Sequence, residues 1–240
     1  MPAMPSALPQ IPLDGEIMLK YPCLVLDHDD TVVQSETTVN YPFFVEWLKK
    51  YHPDAAITRE EYISGCFDPG YIEMCRQWFG FSEEELAEEY AQWKEYIKTQ
   101  IPAPYPGIER IIRRQKEEGG ILCVSSQSAQ SIIRRDYRAH FGLEPDNIYG
   151  WDLEPEYRKP SPWSLEQIMK KYDLSPEQLF IVDDMKPACG MARSAGGKIG
   201  FAGWGRQEFP RITEEMTGLC DYAFPTVSEL ENFLFEEEIN

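Results

Sequence analysis

From Pro106 onward, short apolar runs alternate with amphipathic segments, and this alternation constrains the fold more than any other feature. The runs have the length of buried strands, and a helical pattern separates each from the next. They are ILCV (121–124), NIYGW (147–151), LFIV (179–182) and KIGFAG (198–203), with YPCLVL (21–26) far upstream. Strands that alternate with helices form a parallel sheet. We therefore predict an α/β fold with a doubly wound, Rossmann-like parallel sheet and helices on both of its faces.

A long segment between the first two apolar runs has a different character, because it is aromatic, acidic and helical in pattern. Thr58 with Glu61 and Ser82 with Glu85 both match the capping box, which opens a helix. This predicts a small all-helical domain inserted after the first strand. The expected boundaries are 1–18 for a loosely ordered proline-rich extension, 35–103 for the insertion, and 19–34 with 104–240 for the α/β core.

The net charge of −18 limits the partners that the chain can bind. Nucleic acids and anionic membrane surfaces both favour clustered lysine and arginine, so we expect neither as a partner. An anionic small molecule remains possible, because a bound cation can set the local field. The sequence leaves the oligomeric state open.

Six cysteines are scattered along the chain without a CxxC pair. Cys23 and Cys123 lie in apolar runs and are expected to be small core residues with free thiols, as in a reducing cytoplasm. The first twenty residues lack the basic start and apolar stretch of a signal peptide. We therefore expect a cytoplasmic protein without a membrane partner.

Polar side chains follow the predicted strands, where ligands bind in sheets of this kind. Each group stands at the end of an apolar run or before a helix. The residues are Asp27, Asp29 and Thr31 after YPCLVL, Ser125 and Ser126 after ILCV, Lys159 before the helix at 162, and Asp183 with Asp184 after LFIV.

This ordered set resembles the four motifs of the haloacid dehalogenase superfamily, in its branch of phosphoglycolate phosphatases and beta-phosphoglucomutases with a helical cap. The matching stretches are DHDDT (27–31), ILCVS (121–125), Lys159 and IVDD (181–184). The resemblance implies an Mg²⁺-dependent phosphatase that hydrolyses a small phosphomonoester through an aspartyl-phosphate. It also implies that the insertion is the cap that closes over the site.

The residue types suit phosphoryl transfer on physical grounds as well. A carboxylate at Asp27 can accept the phosphoryl group and divide one difficult step into two. Asp29 can project to the same side of the chain, where it would protonate the leaving alcohol and later deprotonate water. Lys159, Ser125 and Ser126 would neutralise and hydrogen-bond the transferring group.

Four aspartates that converge on one sheet edge would repel one another, and a divalent cation would relieve that repulsion. The resemblance implies that Mg²⁺ is held by the side chains of Asp27 and Asp183 and by the backbone carbonyl of Asp29. Asp184 is expected to hold a metal-bound water, and Thr31 to support the site from behind.

Two positions depart from the common family pattern. His28 stands where an apolar residue is frequent, and by strand alternation it should point away from Asp27 and be structural. Asp30 stands where glycine is frequent, so the local backbone shape is in question. In the insertion, Phe67 and Arg76 are candidate specificity residues in and near the loop 64–70, although that loop could be an ordinary turn between helices.

Each motif also has a plainer interpretation when it is taken alone. Ser125 could be a helix N-cap, Lys159 a surface lysine, and Asp183 with Asp184 the cap of the next helix. Two other functions share the joint pattern. One is a phosphomutase of the beta-phosphoglucomutase type, and the other is a non-catalytic binding or regulatory protein on the same fold.

Overall fold

The computed structural model describes residues 19–235, within which six strands form one parallel sheet. The strands are β1 (Cys23–Leu26), β2 (Ile121–Ser125), β3 (Asn147–Tyr149), β4 (Leu179–Asp183), β5 (Lys198–Ala202) and β6 (Tyr222–Phe224). Their order is β3-β2-β1-β4-β5-β6, so the chain winds outward from β1 in both directions. The predicted doubly wound α/β fold is confirmed.

Four α-helices lie inside the predicted insertion at 35–103. They are α1 (Tyr41–Tyr51), α2 (Arg59–Gly65), α3 (Tyr71–Phe79) and α4 (Glu83–Ile97). Thr58 and Ser82 each complete a capping box with the glutamate three residues later, as the sequence pattern indicates. The insertion is helical, and its boundaries as a separate domain stay a prediction.

The core carries six further helices, and one of them was not foreseen. They are α5 (Ile108–Glu117), α6 (Gln130–Phe141), α7 (Trp163–Tyr172), α8 (Lys186–Ala195), α9 (Pro210–Leu219) and α10 (Val227–Phe235). The sequence pattern did not predict α9, because few of its residues are apolar. Ile212 and Met216 alone are buried along its length. It begins with Pro210, a residue favoured in a first helical turn.

The strand β1 is the centre of the molecule and is buried along its whole length. Cys23 and Val25 pack into one hydrophobic cluster, and Leu24 and Leu26 pack into the cluster on the opposite face of the sheet. Parallel strands with both faces covered are apolar at consecutive positions for this reason. Leu26 is paired with Val124 of β2 and with Val182 of β4, so three strand ends lie side by side.

Two smaller expectations concern thiols and membranes. All six cysteines are free, and Cys23 and Cys123 are fully buried, as expected. None of the helices within 19–235 is long and apolar enough to cross a membrane. The predicted extension at 1–18 lies outside the described residues.

Candidate active site

Asp27 lies directly beyond β1, and the lysine expected from the sequence reaches it. The Asp27 amide donates to the Val182 carbonyl at 2.9 Å, which continues the sheet by one residue. The Lys159 ammonium donates to Asp27 Oδ1 at 2.7 Å and also pairs with Asp183. Three of the four motifs therefore meet at one buried point, although Lys159 is 132 residues from Asp27 in the sequence.

Burial dominates the electrostatics of this point. It raises the pKa of Asp27 well above its ordinary value; Lys159 opposes the rise, while the charges of Asp183, Asp184 and Asp29 add to it. Burial would lower the pKa of Lys159, but the carboxylates of Asp183 and Asp27 raise it above that of a free lysine. Lys159 is therefore held in its charged form, and its charge is what favours ionised Asp27.

Asp29 is half-buried, and two serine hydroxyls hold its carboxylate. Ser35 Oγ donates to Asp29 Oδ1 at 2.6 Å, and Ser128 Oγ donates to Oδ2. Neither serine was singled out from the sequence, because a lone serine in a loop carries no distinguishing signal. The two bonds fix the orientation of the carboxylate that was predicted to be the acid–base group.

Ser125 ends β2 one residue beyond the Leu26–Val124 pair, and Ser126 follows it, but the hydroxyls of both serines contact other groups than Asp27. Ser125 Oγ lies 3.1 Å from Ser164 Oγ, and Ser126 Oγ accepts the amide of Ser128 at 3.2 Å. Ser125 is the last residue of β2, and α6 has Ala129 at its N-cap, so Ser125 does not cap that helix. Phosphate binding by either serine stays a prediction.

The second acidic residue after β4 is tied to a cation that the sequence analysis missed. Thr31 Oγ1 donates to Asp184 Oδ1 at 3.4 Å, and Arg206 Nε donates to Asp184 Oδ2 at 3.0 Å. Arg206 also pairs with Glu36 at the start of the insertion. Arg206 follows β5 within three residues of the apolar run KIGFAG, so its place at a strand end was the signal that could have found it.

The donor set at the strand ends suits a magnesium ion. Five carboxyls are buried in this region and two cations face them: Asp27, Asp30, Glu36, Asp183 and Asp184, with Lys159 and Arg206. Among residues 19–235, no three His, Cys, Asp or Glu side chains form a ready-made metal cage. Mg²⁺ needs fewer, since it takes one or two protein carboxylates and completes its shell with water and phosphate oxygens.

The carboxylates of Asp27 and Asp183 meet that requirement, because both already contact one cationic atom, Lys159 Nζ. Two carboxylate oxygens that can share one ammonium nitrogen are close enough together to share a small cation. The residues present therefore fit the ion that the sequence led us to expect.

The two departures from the family pattern have structural explanations. His28 is buried, with Nε2 3.1 Å from Asp136 Oδ2 on α6, so it is a core residue on the other face of the sheet from Asp27. Asp30 adopts a left-handed conformation with φ of 52°, which explains why glycine is common there. Asp30 tolerates this backbone because aspartate is one of the few residues that do.

The two candidate specificity residues lie in different surroundings. Phe67 is buried, and the Lys186 ammonium at the start of α8 lies 4.3 Å from the centre of its ring. Phe67 therefore contacts the core at Lys186, which follows Asp183 and Asp184 in the chain. The Arg76 guanidinium is on an exposed face of α3 and is bound by Glu73 and Glu83. A specificity role for Phe67 and for Arg76 stays a prediction.

Comparison with known proteins agrees with the geometry. A family model described as haloacid dehalogenase-like hydrolase matches residues 24–202. No curated protein sequence matches the chain significantly.

Solved structures share the fold at low sequence identity. A predicted phosphoglycolate phosphatase from Haemophilus somnus is 18% identical over 90% of this chain and 99% of its own, with a TM-score of 0.71. CbbY from Rhodobacter sphaeroides in complex with xylulose-(1,5)bisphosphate is 22% identical over 88% and 96%, with a TM-score of 0.69. A haloacid dehalogenase-like family protein from Streptococcus pneumoniae is 20% identical over 88% and 97%, with a TM-score of 0.70.

The match of the family model covers the strand that carries Asp27, the strand that carries Asp183, and the lysine between them. The resemblance drawn from the sequence motifs is confirmed, and the chain belongs to the haloacid dehalogenase-like hydrolases.

Proposed function

We propose that the chain is a magnesium-dependent phosphatase that hydrolyses a small phosphomonoester through an aspartyl-phosphate on Asp27. One observation carries this proposal: the Lys159 ammonium bridges Asp27 and Asp183, although the three residues come from distant parts of the chain. A nucleophile, a counter-charge and a metal-binding carboxylate then surround one reacting phosphorus atom.

In the first step, an Asp27 carboxylate oxygen attacks phosphorus. The new bond is Asp27 O–P, and the bond that breaks is the one between phosphorus and the oxygen of the leaving alcohol. Asp29 gives its proton to that oxygen, and the bonds from Ser35 and Ser128 hold the Asp29 carboxyl in line for the transfer. Lys159 neutralises charge on the transferring group.

In the second step, water attacks the aspartyl-phosphate and Asp29 removes its proton, which restores Asp27 and releases inorganic phosphate. Mg²⁺, held by Asp27, Asp183 and the backbone carbonyl of Asp29, would supply positive charge to the phosphoryl oxygens. We assign Ser125 and Ser126 to the same oxygens as hydrogen-bond donors, and Thr31 with Asp184 to the support of the metal site.

The proposed substrate class is a small phosphorylated metabolite. Its support is that CbbY, which shares this fold, was solved with xylulose-(1,5)bisphosphate and also with phosphate. Phe67 is the proposed specificity residue that faces the core beside Lys186. Arg76 remains a weaker candidate, because Glu73 and Glu83 occupy its guanidinium. Free thiols throughout support a cytoplasmic location.

The test is a screen of sugar monophosphates, phosphoglycolate and nucleoside monophosphates with Mg²⁺, repeated with a chelator. We expect release of inorganic phosphate that the chelator abolishes. Release that survives chelation would contradict the magnesium assignment. Isomerisation of a sugar phosphate that a bisphosphate stimulates, without net phosphate release, would identify the phosphomutase instead.

A further inference from the structure

The insertion is joined to the core by two linkers that run side by side. Residues 32–36 lead into the insertion, and residues 103–105 lead out of it. The Gln34 amide donates to the Ala103 carbonyl at 2.9 Å, and the Tyr105 amide donates to the Val32 carbonyl at 2.9 Å. We call these paired linkers, which join the insertion to the core, the hinge.

Asp30 fastens both linkers to the loop that carries Asp27 and Asp29. Asp30 Oδ2 accepts the Glu36 amide at 3.0 Å, and Oδ1 accepts the Tyr105 hydroxyl at 3.2 Å. The aspartate that replaces the common glycine is therefore a structural contact between the reacting loop and the insertion.

Arg206 makes a second connection between the hinge and the acidic site. Arg206 is 3% exposed, and its guanidinium contacts both Asp184 Oδ2, at 3.0 Å from Nε, and the Glu36 carboxylate. Glu36 belongs to the hinge, whereas Asp184 belongs to the acidic site. One buried cation thus joins the two, across 170 residues of sequence from Glu36.

Such a network is a poor device for stability alone. Burying charges is costly, and well-packed apolar residues often replace a buried ion pair without loss. The two N–H groups of a planar guanidinium instead fix distance and angle between their acceptors, which a lysine could not do. The geometry suits a contact that sets the position of Asp184 relative to the hinge.

We propose that Arg206 is a positioning residue that couples the hinge to the metal site: through Glu36 and Asp184 it makes the placement of the insertion and the placement of the acidic site depend on each other. The part of this inference that concerns the metal site rests on the proposed function. The part that concerns the hinge rests on the contacts of Arg206, Glu36 and Asp30.

The main test variant is Glu36→Gln, which keeps the Glu36 amide and the shape of the side chain but removes the charge that Arg206 binds. Arg206→Lys is the second variant, because it keeps the cation and loses the planar fork. Glu231→Gln is the matched control, since Glu231 also binds an arginine, Arg110, on the surface between α5 and α10. Circular dichroism and thermal unfolding confirm that each variant is folded.

The first readout is amide hydrogen exchange in the hinge without metal. We expect Glu36→Gln and Arg206→Lys to speed exchange at Gln34, Glu36 and Tyr105 about tenfold, because the linkers open locally more often. Glu231→Gln should leave these amides unchanged. Hinge exchange equal to that of the wild type in both folded variants would overturn the proposal, whatever the enzyme does.

The second readout is calorimetric titration with Mg²⁺. Although Glu36 is not a ligand, Glu36→Gln should weaken Mg²⁺ binding about tenfold, and adding Arg206→Lys should weaken it little further, because both act through one contact. Faster hinge exchange with unchanged Mg²⁺ affinity would overturn the coupling. If the wild type binds no Mg²⁺ and releases no phosphate, the proposed function has failed. The exchange result still tests whether Arg206 and Glu36 hold the hinge in place.

Discussion

Two buried cations stand a short distance apart in this molecule, and each bridges two carboxylates. Lys159 joins Asp27 to Asp183, and Arg206 joins Asp184 to Glu36. Around Arg206 the acceptors have further partners in the fold, such as Thr31 on Asp184. Around Lys159, the proposed reaction requires that the carboxylate of Asp27 can leave its partner.

The difference reflects the chemistry of the two side chains. An ammonium is a compact charge on a flexible stem, so it can follow a carboxylate that gains a phosphoryl group. A guanidinium holds two acceptors in a fixed plane, so it suits carboxylates that must not move. The two side chains therefore suit the two proposed roles: reaction at the Lys159 cluster and positioning by the Arg206 cluster.

The largest effect is expected at the proposed nucleophile in the Lys159 cluster, from Asp27→Asn. An amide oxygen is a far weaker nucleophile than a carboxylate, so phosphate release should fall by about 10³-fold or more. Initial-rate measurement with the best substrate of the screen checks this. The matched control is Asp221→Asn, beyond the opposite ends of the strands, which should retain activity. A binding protein would release no phosphate in the wild type and would keep its ligand in the variant.

The next effect concerns the counter-charge itself, through Lys159→Met. Burial already raises the pKa of Asp27, and Lys159 is the charge that lowers it, so its loss should raise that pKa further. Ionised Asp27 is then reached only at higher pH, and the acid limb of the kcat/KM profile should move upward. We expect a loss of about 10²-fold at neutral pH. An unmoved acid limb would show that Lys159 does not set the ionisation of Asp27; Lys198→Met is the surface control.

A smaller effect is expected from the support of the acid–base group. Ser128→Ala removes one of the two hydroxyl bonds to Asp29 and leaves the bond from Ser35. The carboxyl can then rotate, and kcat should fall about tenfold with little change in KM. Steady-state kinetics beside Ser131→Ala, an exposed serine on α6, provides the comparison. A rise in KM at constant kcat would instead assign Ser128 to substrate binding.

The smallest effect is expected at Glu89, a buried carboxyl whose hydrogen-bond partner is neutral, unlike the carboxylates that Lys159 and Arg206 bridge. Glu89 in the insertion accepts the Tyr71 hydroxyl at 2.7 Å, and burial raises the pKa of Glu89 to about 7. Its folded-state pKa lies above the unfolded value, so the fold is most favoured with Glu89 protonated and loses stability as pH rises from about 4.5 to about 7. Glu89→Gln should remove that loss, by about 1–3 kcal/mol at pH 8.

Thermal unfolding at pH 5 and pH 8 measures this difference. The variant should gain over the wild type at pH 8 and show little gain at pH 5. Glu88→Gln, on the same helix and exposed, should show no pH-dependent gain. An equal effect at both pH values would mean that Glu89 does not titrate in this range.

The fold and the centre of the site could be predicted because they follow from local patterns. Parallel strands are apolar throughout, and their carboxyl ends lie at one edge, so Asp27 and Asp183 were expected at the same edge once both runs were strands. Lys159 needed the family resemblance as well, since a lone lysine before a helix has no pattern of its own.

The rest depended on contacts that no local pattern encodes. Glu36 has no distinguishing sequence signal, and although Arg206 follows a strand end, its meeting with Glu36 depends on how the hinge packs against the end of β5. Ser128 lies in a loop whose course is set by β3, through its carbonyl bond to the Trp151 amide. The helix α9 buries too few residues to show a clear period.

The central position of β1 has a consequence for the order in which the molecule can be assembled. Cys23 pairs with Ile121 on one side and with Leu179 on the other, so β1, which precedes both neighbours in the chain, is paired on both sides only after β2 and β4 have been synthesised. Until residue 183 has emerged, a nascent chain holds Asp27 without the second carboxylate of its lysine bridge. The Lys159 bridge between Asp27 and Asp183 therefore cannot form until β4 has been synthesised.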